Sequence, residues 1–433
     1  MSPTLIGIFG FIILLLLIFS QMPVGFSMAL VGFCGFAFIV SWDAALNLIA
    51  RDIFEVFGSY NLTVIPLFVL MGQIAYHAGI STRLFNVAYR FIGHWPGGMA
   101  IATIGACAGF SAICGSTNAT AATMTSVTLP EMRKYDYDDG LAAGVIAAGG
   151  SLGILVPPSV IFIIYGIMTE QSIGKLFMAG VLPGILLTLF FIISIVITTR
   201  INPQLAPRGP KTEWSDKLAS LSGLIETLIL FILVMGGLFT GLFTPTEAGG
   251  IGAFGALIIA LIRQNIRFSG IVQALFETTR ISCMIMVIVA GATIFGHFLA
   301  ITRIPYDIAG WVAGFQMPSY CIMGIIICIF LIGGCIIDSL ALIMLTVPIF
   351  YPVVQSLGYD PMWFGVIIVL VTQIGVITPP VGINVYVVSG VARDIPIQVI
   401  FRGVIPLLIA LMACTLIMIP FPQIALFLPQ LMK

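Results

Sequence analysis

The chain has 433 residues, of which 60% are hydrophobic and only 8% are charged, and its mean hydropathy is +1.17. These values lie far outside the range of soluble globular domains, which argues against an enzyme that works in water. The formal net charge is zero, which argues against nucleic acid or another polyanion as a partner. Apolar runs long enough to cross a bilayer recur from Leu5 to Phe427, so the composition predicts an all-α polytopic protein surrounded by membrane lipids.

The first apolar run, Leu5 to Phe19, lacks the basic segment and the small-residue cleavage site of a signal peptide, so it is predicted to be a retained span. The 8 cysteines fall within apolar segments, without a C-x-x-C pattern and without clustering around the 3 histidines. This distribution favours neither a metal site nor a disulfide framework.

Two similar stretches, LGILVPP ending at Pro158 and IGVITPP ending at Pro380, lie 222 residues apart. The same offset relates Pro23 to Pro245 and Tyr137-Asp138 to Tyr359-Asp360. The chain is therefore predicted to contain two copies of one plan, residues 1–210 and 211–433.

Hydropathy and helix breakers divide each copy into three spans, a re-entrant hairpin, a broken helix and a final span. In chain order the first copy has spans at 4–20, 23–40 and 62–80, the hairpin at 97–131, the broken helix at 140–169 and a span at 174–200. The second copy has spans at 219–242, 245–262 and 281–300, the hairpin at 320–354, the broken helix at 362–391 and a span at 398–421. Residues 43–60 and 264–280 are amphipathic and are predicted to lie along the membrane interface.

If each hairpin enters and leaves the membrane on one side, each copy crosses an odd number of times and the second copy is inverted relative to the first. Placing the N-terminus outside the cell membrane then leaves all but four of the 17 Lys and Arg residues in the cytoplasm, the exceptions being Arg51, Lys175, Arg303 and Lys433. The positive-inside rule supports this orientation. Tryptophans near the predicted span ends fit an interfacial belt; they are Trp42, Trp95, Trp311 and Trp363.

A double proline inside a span removes two backbone donors and frees carbonyls in the preceding turn. Irregular backbone is tolerated at membrane depth only where it packs in protein or lines a polar cavity, and paired broken helices there bind coupling cations and anionic substrates. Each hairpin turn supplies small polar residues beside such a break, in 108–119 and in 331–339. The alternative is that Gly, Ser and Thr only allow close helix packing, but their pairing with a break in both copies favours binding.

Four motifs together resemble the large membrane subunit (DctM-type) of tripartite ATP-independent periplasmic (TRAP) transporters. They are FSAICGST at 110–117, GILVPPS at 153–159, FTPTEA at 243–248 and TPPVGIN at 378–384. The resemblance covers essentially the whole chain and implies an inverted-repeat fold of the ion-transporter superfamily with an elevator mechanism. It also implies import of small organic anions such as carboxylates, sugar acids or sulfonates, driven by two or more Na+ ions, across the bacterial inner membrane. The implied partners are a small four-helix membrane subunit (Q type) and a periplasmic substrate-binding protein (P type).

The resemblance further implies specific site residues. A first Na+ site would comprise Ser111, Cys114, Gly153, Val156 and Pro158. A second would comprise Gly333 or Gly334 with Gly375, Thr378 and Pro380. Residues expected at the substrate are Ser116, Thr117, Asn118, Ser159, Arg303 and Asp338. Many relatives have serine where this chain has Cys114, so a side-chain role for that ligand is in doubt while a carbonyl role is not.

Of three notable charged positions, two allow both a functional and a structural interpretation. Asp338 lies in an apolar hairpin, where an acid indicates function by default, although it could instead bond the hairpin's own backbone. Arg303 could bind a carboxylate or sulfonate bidentately, but Arg83 occupies a similar place in the first copy and could mark a helix end. Glu247 follows Pro245 at the start of a span and is predicted to be mainly structural.

Three other functions remain as alternatives. A stand-alone sodium/carboxylate symporter of related fold would need no binding protein. An intramembrane hydrolase would need a nucleophile with a base, and Ser111 has neither a G-x-S-x-G context nor a suitably placed histidine. A channel fits less well, because two closed cation sites suit stoichiometric coupling better than rapid conduction.

Overall fold

The computed structural model describes residues 2–263, 266–307, 310 and 317–432. Trp311 and Lys433, which the sequence places at a span end and in the periplasm, lie outside these residues. All regular secondary structure in the described ranges is helical, which confirms the predicted all-α class.

The helices follow one another with short connections. The first copy contains α1 (Pro3–Phe19), α2 (Val24–Ile39), α3 (Trp42–Phe57), α4 (Val64–His77), α5 (Ile80–Ile92), α6 (Gly98–Cys114), α7 (Thr117–Lys134), α8 (Asp139–Ser151), α9 (Val160–Thr169) and α10 (Ile173–Ile201). The second contains α11 (Trp214–Phe239, with a π-helical turn at Ile232–Gly236), α12 (Pro245–Ile262), α13 (Phe268–Thr302), α14 (Ser319–Gly334), α15 (Ser339–Ser356), α16 (Pro361–Val376), α17 (Ile383–Val391), α18 (Ile397–Met418) and α19 (Gln423–Leu431).

Within the described residues, 6 helices are long and apolar enough to cross a membrane, or 7 if the bent pair α3–α4 forms one span. Large apolar side chains such as Phe38, Ile201 and Phe254 are exposed on their outer faces. Exposed apolar surface of this extent is expected where lipid tails surround the protein. The chain is a multi-pass membrane protein.

Both predicted hairpins are present. Helices α6 and α7 pack against each other through a turn at Gly115, and α14 and α15 do so through residues 335–338. Equivalent side chains cap the second helix of each hairpin, Ser116 on α7 and Asp338 on α15.

Both predicted helix breaks are also present. Between α8 and α9 the chain forms a 3-10 turn at Leu152–Ile154 and then a non-helical segment, and between α16 and α17 it leaves the helix over residues 377–382. Each break contains a cis Pro-Pro bond, Pro157–Pro158 and Pro379–Pro380. The inverted orientation of the two copies remains a prediction.

The core of the molecule contains α8 and α16. Every residue of α8 from Gly140 to Ser151 is buried, as is every residue of α16 from Trp363 to Val376. Glycines bring α8 and α18 into backbone contact, because a Cβ atom on Gly403 would overlap the carbonyl of Gly140. The helices that lead into both breaks, α8 and α16, therefore lie inside protein.

The prediction of a separate interfacial segment at 264–280 is wrong from Phe268 onward, the part that the structure describes as helical. Residues from Phe268 onward belong to α13, a continuous helix of 35 residues. No proline or glycine interrupts the chain between Gly270 and Gly291, whereas Gly58 and a 3-10 turn at Tyr60–Thr63 separate α3 from α4, which are bent by 48°. The two copies therefore differ in their outer helices.

Helices α5 and α19 were not predicted from the sequence. Helix α5 connects the outer helices to the first hairpin and packs against α6. It is strongly amphipathic and buries Ile80, Leu84 and Phe85. Because its other face is polar, the segment does not form an apolar run in the sequence. Helix α19 is shorter and packs against α10.

Candidate functional site

The tips of the two hairpins open into one cavity of about 100 Å³. The first tip contributes residues 114–119 and the second contributes Asp338, Ser339 and Leu340. The opposite wall comes from the outer helices, with Val69 and Gln73 on α4 and Ile281, Met284 and Ile285 on α13. The structure thus brings the consecutive residues Ser116, Thr117 and Asn118 together with Asp338, which lies in the other half of the chain.

The first tip presents hydroxyl and amide groups. The Ser116 hydroxyl accepts a hydrogen bond from the Ala119 N–H at 3.4 Å and caps α7. The Thr117 hydroxyl donates to Asn118 Oδ1 at 3.4 Å, and the Asn118 side chain is exposed to the cavity. The positive end of α7 therefore faces the cavity beside neutral hydrogen-bonding groups, an arrangement that suits an anionic oxygen.

The second tip adds a carboxylate. Asp338 caps α15, because its Oδ2 accepts the N–H of Leu340 at 3.0 Å, and its side chain is also exposed to the cavity. Both interpretations of this residue, backbone cap and site residue, therefore describe its position. Ser339 and Gln73 each line the cavity with a buried oxygen that has no partner among the described residues. These two oxygens are available to a bound molecule.

At the first break, the tip of the hairpin lies directly on the irregular segment. A Cβ atom on Gly153 would lie 2.6 Å from the carbonyl carbon and oxygen of Ser116, and one on Gly115 would overlap the carbonyl oxygen of Pro158. Gly115 also has a φ of 62°, which glycine adopts without strain. Two backbone segments can approach this closely only because neither glycine has a side chain, and the approach concentrates carbonyl oxygens.

The remaining residues predicted for the first Na+ site lie around this contact. The backbone of Cys114 packs against Gly72 of α4, and the Val156 N–H donates to the Leu152 carbonyl at 2.9 Å. The Ser111 hydroxyl is fully buried and has no partner in the described part of the chain. Ser111 is one turn before Gly115, whose N–H donates to the Ser111 carbonyl at 3.1 Å, and a buried hydroxyl and backbone carbonyls are the ligand types that a small hard cation such as Na+ takes.

The second break repeats this contact with differences. A Cβ atom on Gly375 would overlap the carbonyl carbon of Gly334, so α14 and α16 meet at their backbones. The Gly333 carbonyl already accepts the N–H groups of Ile336 at 3.0 Å and Ile337 at 2.8 Å, which makes Gly334 the better-placed ligand of the two. The Thr378 hydroxyl donates to Ile374 and keeps lone pairs for a cation.

The prolines of the two breaks differ in exposure. Pro157 and Pro158 are buried, whereas Pro379 and Pro380 are exposed. The second break therefore lies at the surface of the chain, where its carbonyls are accessible from one side.

Two residues predicted at the substrate do not line the cavity. The Ser159 hydroxyl is fully buried, donates to the Ile154 carbonyl at 2.6 Å and caps α9, so its hydrogen bonds serve the helix. Arg303 ends α13 in a separate pocket with Tyr306 and Pro348, and its guanidinium lies 5.4 Å from the Tyr306 ring. Neither residue lines the cavity in this structure, and a contact of either with substrate remains a prediction.

Comparison with known proteins identifies the family. The sequence profile of the tripartite ATP-independent periplasmic transporter, DctM component, matches residues 11–424. The chain belongs to the DctM family. It is 36% identical over 383 residues to the C4-dicarboxylate TRAP transporter large permease protein DctM of Pseudomonas aeruginosa, covering 88% of this chain and 89% of that one. It is 35% identical over 428 residues to the sialic acid TRAP transporter large permease protein SiaM of Vibrio cholerae, covering 98% of both.

Among solved structures, the YdaH transporter of Alcanivorax borkumensis matches with a TM-score of 0.66 at 14% identity, covering 98% of both chains. At this identity the likeness concerns the fold alone. The arrangement of helices in this DctM-family chain thus occurs in another transporter.

Three polar residues of this DctM-family chain were not predicted as site residues from the sequence. Gln73 lines the cavity, and Gln373 and Asn384 are fully buried between the two broken helices. Each is a lone amide in an apolar helix, and the cost of a polar group at membrane depth is the signal that points to such residues. Glu247, in contrast, forms the predicted structural contact, because it completes a capping box with Thr244 at the start of α12.

Proposed function

We propose that this chain is the transport subunit of a sodium-coupled, binding-protein-dependent importer of small organic anions. The observation that carries the proposal is the single cavity between both hairpin tips, each tip packed on a broken helix through a glycine contact. Paired broken helices of this kind combine cation ligands with helix N-termini for an anion. Membership of a tripartite family supports the requirement for a small membrane subunit and a periplasmic binding protein.

The substrate is a small anion bound without a basic side chain from the cavity wall. Of the residues that line the cavity, none is Lys or Arg, so the negative group would be bound by the N-terminus of α7 and by Thr117 and Asn118, away from the Asp338 carboxylate that caps α15. The two relatives named above are a C4-dicarboxylate and a sialic acid transporter, and both substrates carry carboxylates. A carboxylate or sugar acid is accordingly the proposed class.

Two or more Na+ ions would bind at the two breaks, held by Ser111 and carbonyls around Gly153 at the first and by Gly334, Gly375 and Thr378 at the second. Their charge would offset the substrate anion, since no basic side chain does so. Uptake would then depend on both solutes together.

The cavity lies between the hairpin tips on one side and α4 and α13 on the other. In an elevator mechanism the hairpins and broken helices move as one body against these outer helices, in the bacterial inner membrane with the N-terminus in the periplasm. Because the cavity has one wall from each body, this movement would open it.

Reconstitution tests the proposal. The purified chain with its small subunit is placed in proteoliposomes, the periplasmic binding protein is supplied outside, and uptake of a radiolabelled carboxylate is measured under an inward Na+ gradient. We expect uptake to require both the binding protein and Na+, with K+ giving background rates. Uptake without the binding protein would instead identify a stand-alone symporter, and uptake indifferent to Na+ would exclude sodium coupling.

Replacing Thr117 with valine should weaken substrate binding. The change removes one hydroxyl at the cavity while keeping the side-chain shape, and one such hydrogen bond to a charged group is worth about 1.5–3 kcal/mol. We expect the substrate KM to rise by about tenfold or more, the factor that corresponds to 1.4 kcal/mol.

Thr128→Val is the matched control, because Thr128 lies on the same helix, is fully buried and donates within α7 to the Met124 carbonyl at 2.8 Å. We expect its KM to equal that of the wild type. Equal KM values for both variants and the wild type would remove Thr117 from the substrate site.

A further inference from the structure

Two amide side chains connect the broken helix of the second copy to that of the first. Gln373 of α16 donates from Nε2 to the Ser151 carbonyl at 2.6 Å. Asn384 of α17 donates from Nδ2 to the Ala147 carbonyl at 3.0 Å. Both side chains are fully buried, so these bonds are formed in the interior of the chain.

The positions of the four residues relate both bonds to the breaks. Ala147 and Ser151 are four residues apart on one face of α8, and Ser151 is the last residue before the first break. Gln373 precedes the second break and Asn384 follows it. The last turn of α8 is therefore hydrogen-bonded to residues on both sides of the second break.

Gln373 and Ser151 also occupy equivalent positions, since they are 222 residues apart, the offset that relates the two proline pairs. The first copy has a serine at the position of Gln373 and Phe162 at that of Asn384, so the second copy alone supplies these two amides.

Packing alone does not explain the amides. The Gln373 Oε1 and Asn384 Oδ1 atoms are buried and have no hydrogen-bond donor among the described residues. A buried polar atom without a donor lowers stability, and an apolar side chain of similar volume avoids this cost. The N–H contacts to α8 are what the amides provide in return.

We propose that Gln373 and Asn384 are positioning residues that couple the two Na+ sites, so that occupancy of one break raises the affinity of the other. This inference rests on the proposed sodium coupling. It depends on the amide N–H groups, which bond to α8, and not on a contact of these residues with Na+ or substrate. The coupling would make Na+ binding cooperative.

A thermal-shift titration tests the coupling without transport. The complex with the small subunit is placed in lipid nanodiscs, and its Tm is followed as NaCl replaces choline chloride at constant ionic strength. For the wild type we expect a sigmoidal response with a Hill coefficient approaching about 2, the limit for two coupled sites. For Gln373→Leu we expect a Hill coefficient near 1 and a Na+ midpoint raised by about fivefold or more, the lower range of measured couplings.

Thr372→Val is the matched control. Thr372 is the adjacent residue, is fully buried, and its hydroxyl donates at 2.9 Å to Val369 within α16 rather than to the first copy. We expect its Hill coefficient and midpoint to equal those of the wild type. Asn384→Ala, which removes only the contact to Ala147, provides a second variant if Gln373→Leu does not fold, and we expect it to lower the Hill coefficient as well.

The outcomes separate this inference from the proposed function. A wild-type Tm that does not respond to Na+ would contradict sodium coupling itself. A wild type that responds with a Hill coefficient of 1, or a folded Gln373→Leu or Asn384→Ala variant that keeps the wild-type Hill coefficient, would overturn the coupling while leaving the Na+ sites in place.

Discussion

Replacing Gly153 with alanine is expected to abolish Na+-dependent uptake. The added Cβ atom would lie 2.6 Å from the carbonyl carbon and oxygen of Ser116, which are backbone atoms and cannot rotate away. Overpacking of this kind costs about 1–3 kcal/mol, and the first hairpin tip would relieve it by moving off the break. Because the proposed first Na+ site depends on this contact, we expect Na+ affinity to be lost before the fold is. Proteoliposome uptake and Na+-dependent Tm measure the two effects.

Gly105→Ala is the control for this change. Gly105 lies on α6 in the same hairpin, and no heavy atom lies within 4 Å of where its Cβ would be. Alanine is favoured over glycine in a helix by about 0.5–1 kcal/mol, so this variant should be unchanged or slightly more stable, with full uptake. Normal uptake by Gly153→Ala would show that the close contact between tip and break is not needed for transport.

The sequence predicts the central elements well because their signals are local. A Pro-Pro pair removes two donors and ends a helix wherever it occurs, and polar capping residues such as Ser116 and Asp338 mark where the next helix begins. Repetition of this pattern at a constant offset identifies both hairpins and both breaks. The all-helical class follows from the composition and the DctM family from the four motifs, and both are confirmed.

The outer helices are less predictable, because similar hydropathy allows either one long helix or two. Only Gly58 and the turn after it separate α3 from α4, while nothing comparable interrupts α13. Helix α5 could not be predicted from the sequence for a different reason. Its buried face is recognisable only once α6 is known to pack against it, since the segment as a whole is too polar for a span.

The site residues, too, include some that a local sequence pattern predicts and others that only the packing of helices brings together. Thr117 and Asn118 follow from a polar tip beside a break, a pattern visible in the sequence. Gln73 and Gln373 are brought into place by the packing of α4 against one tip and of α16 against the turn that follows α8, and no local rule predicts those pairings. Arg303 illustrates the converse, because a charged residue at the end of a helix near the membrane suggests a ligand but lies in a different pocket here.

Replacing Glu226 with glutamine is expected to destabilise the chain by about 3 kcal/mol, the lower end of the cost of breaking a buried ion pair, because the carboxylate is buried while both arginines are partly exposed. Glu226 of α11 is 7% exposed, and its two oxygens lie 2.8 Å from Arg83 Nη2 and 2.7 Å from Arg263 Nε. One carboxylate therefore joins α5, α11 and the end of α12, and α5 is the segment that leads into the first hairpin. Removing its charge takes away the carboxylate that both guanidinium groups contact.

The matched control for this change is Glu55→Gln. Glu55 also pairs with an arginine, Arg51, at 3.1 Å, but both side chains are mostly exposed and four residues apart on one helix. Such a pair contributes about 0.3–0.5 kcal/mol, so the variant should unfold at nearly the wild-type temperature. Thermal unfolding of the complex in nanodiscs compares the two variants directly. Equal losses of thermal stability in the two variants would show that burial does not set the contribution of Glu226. A large loss confined to Glu226→Gln would show that this carboxylate holds α5, the helix that leads into the first hairpin, in place.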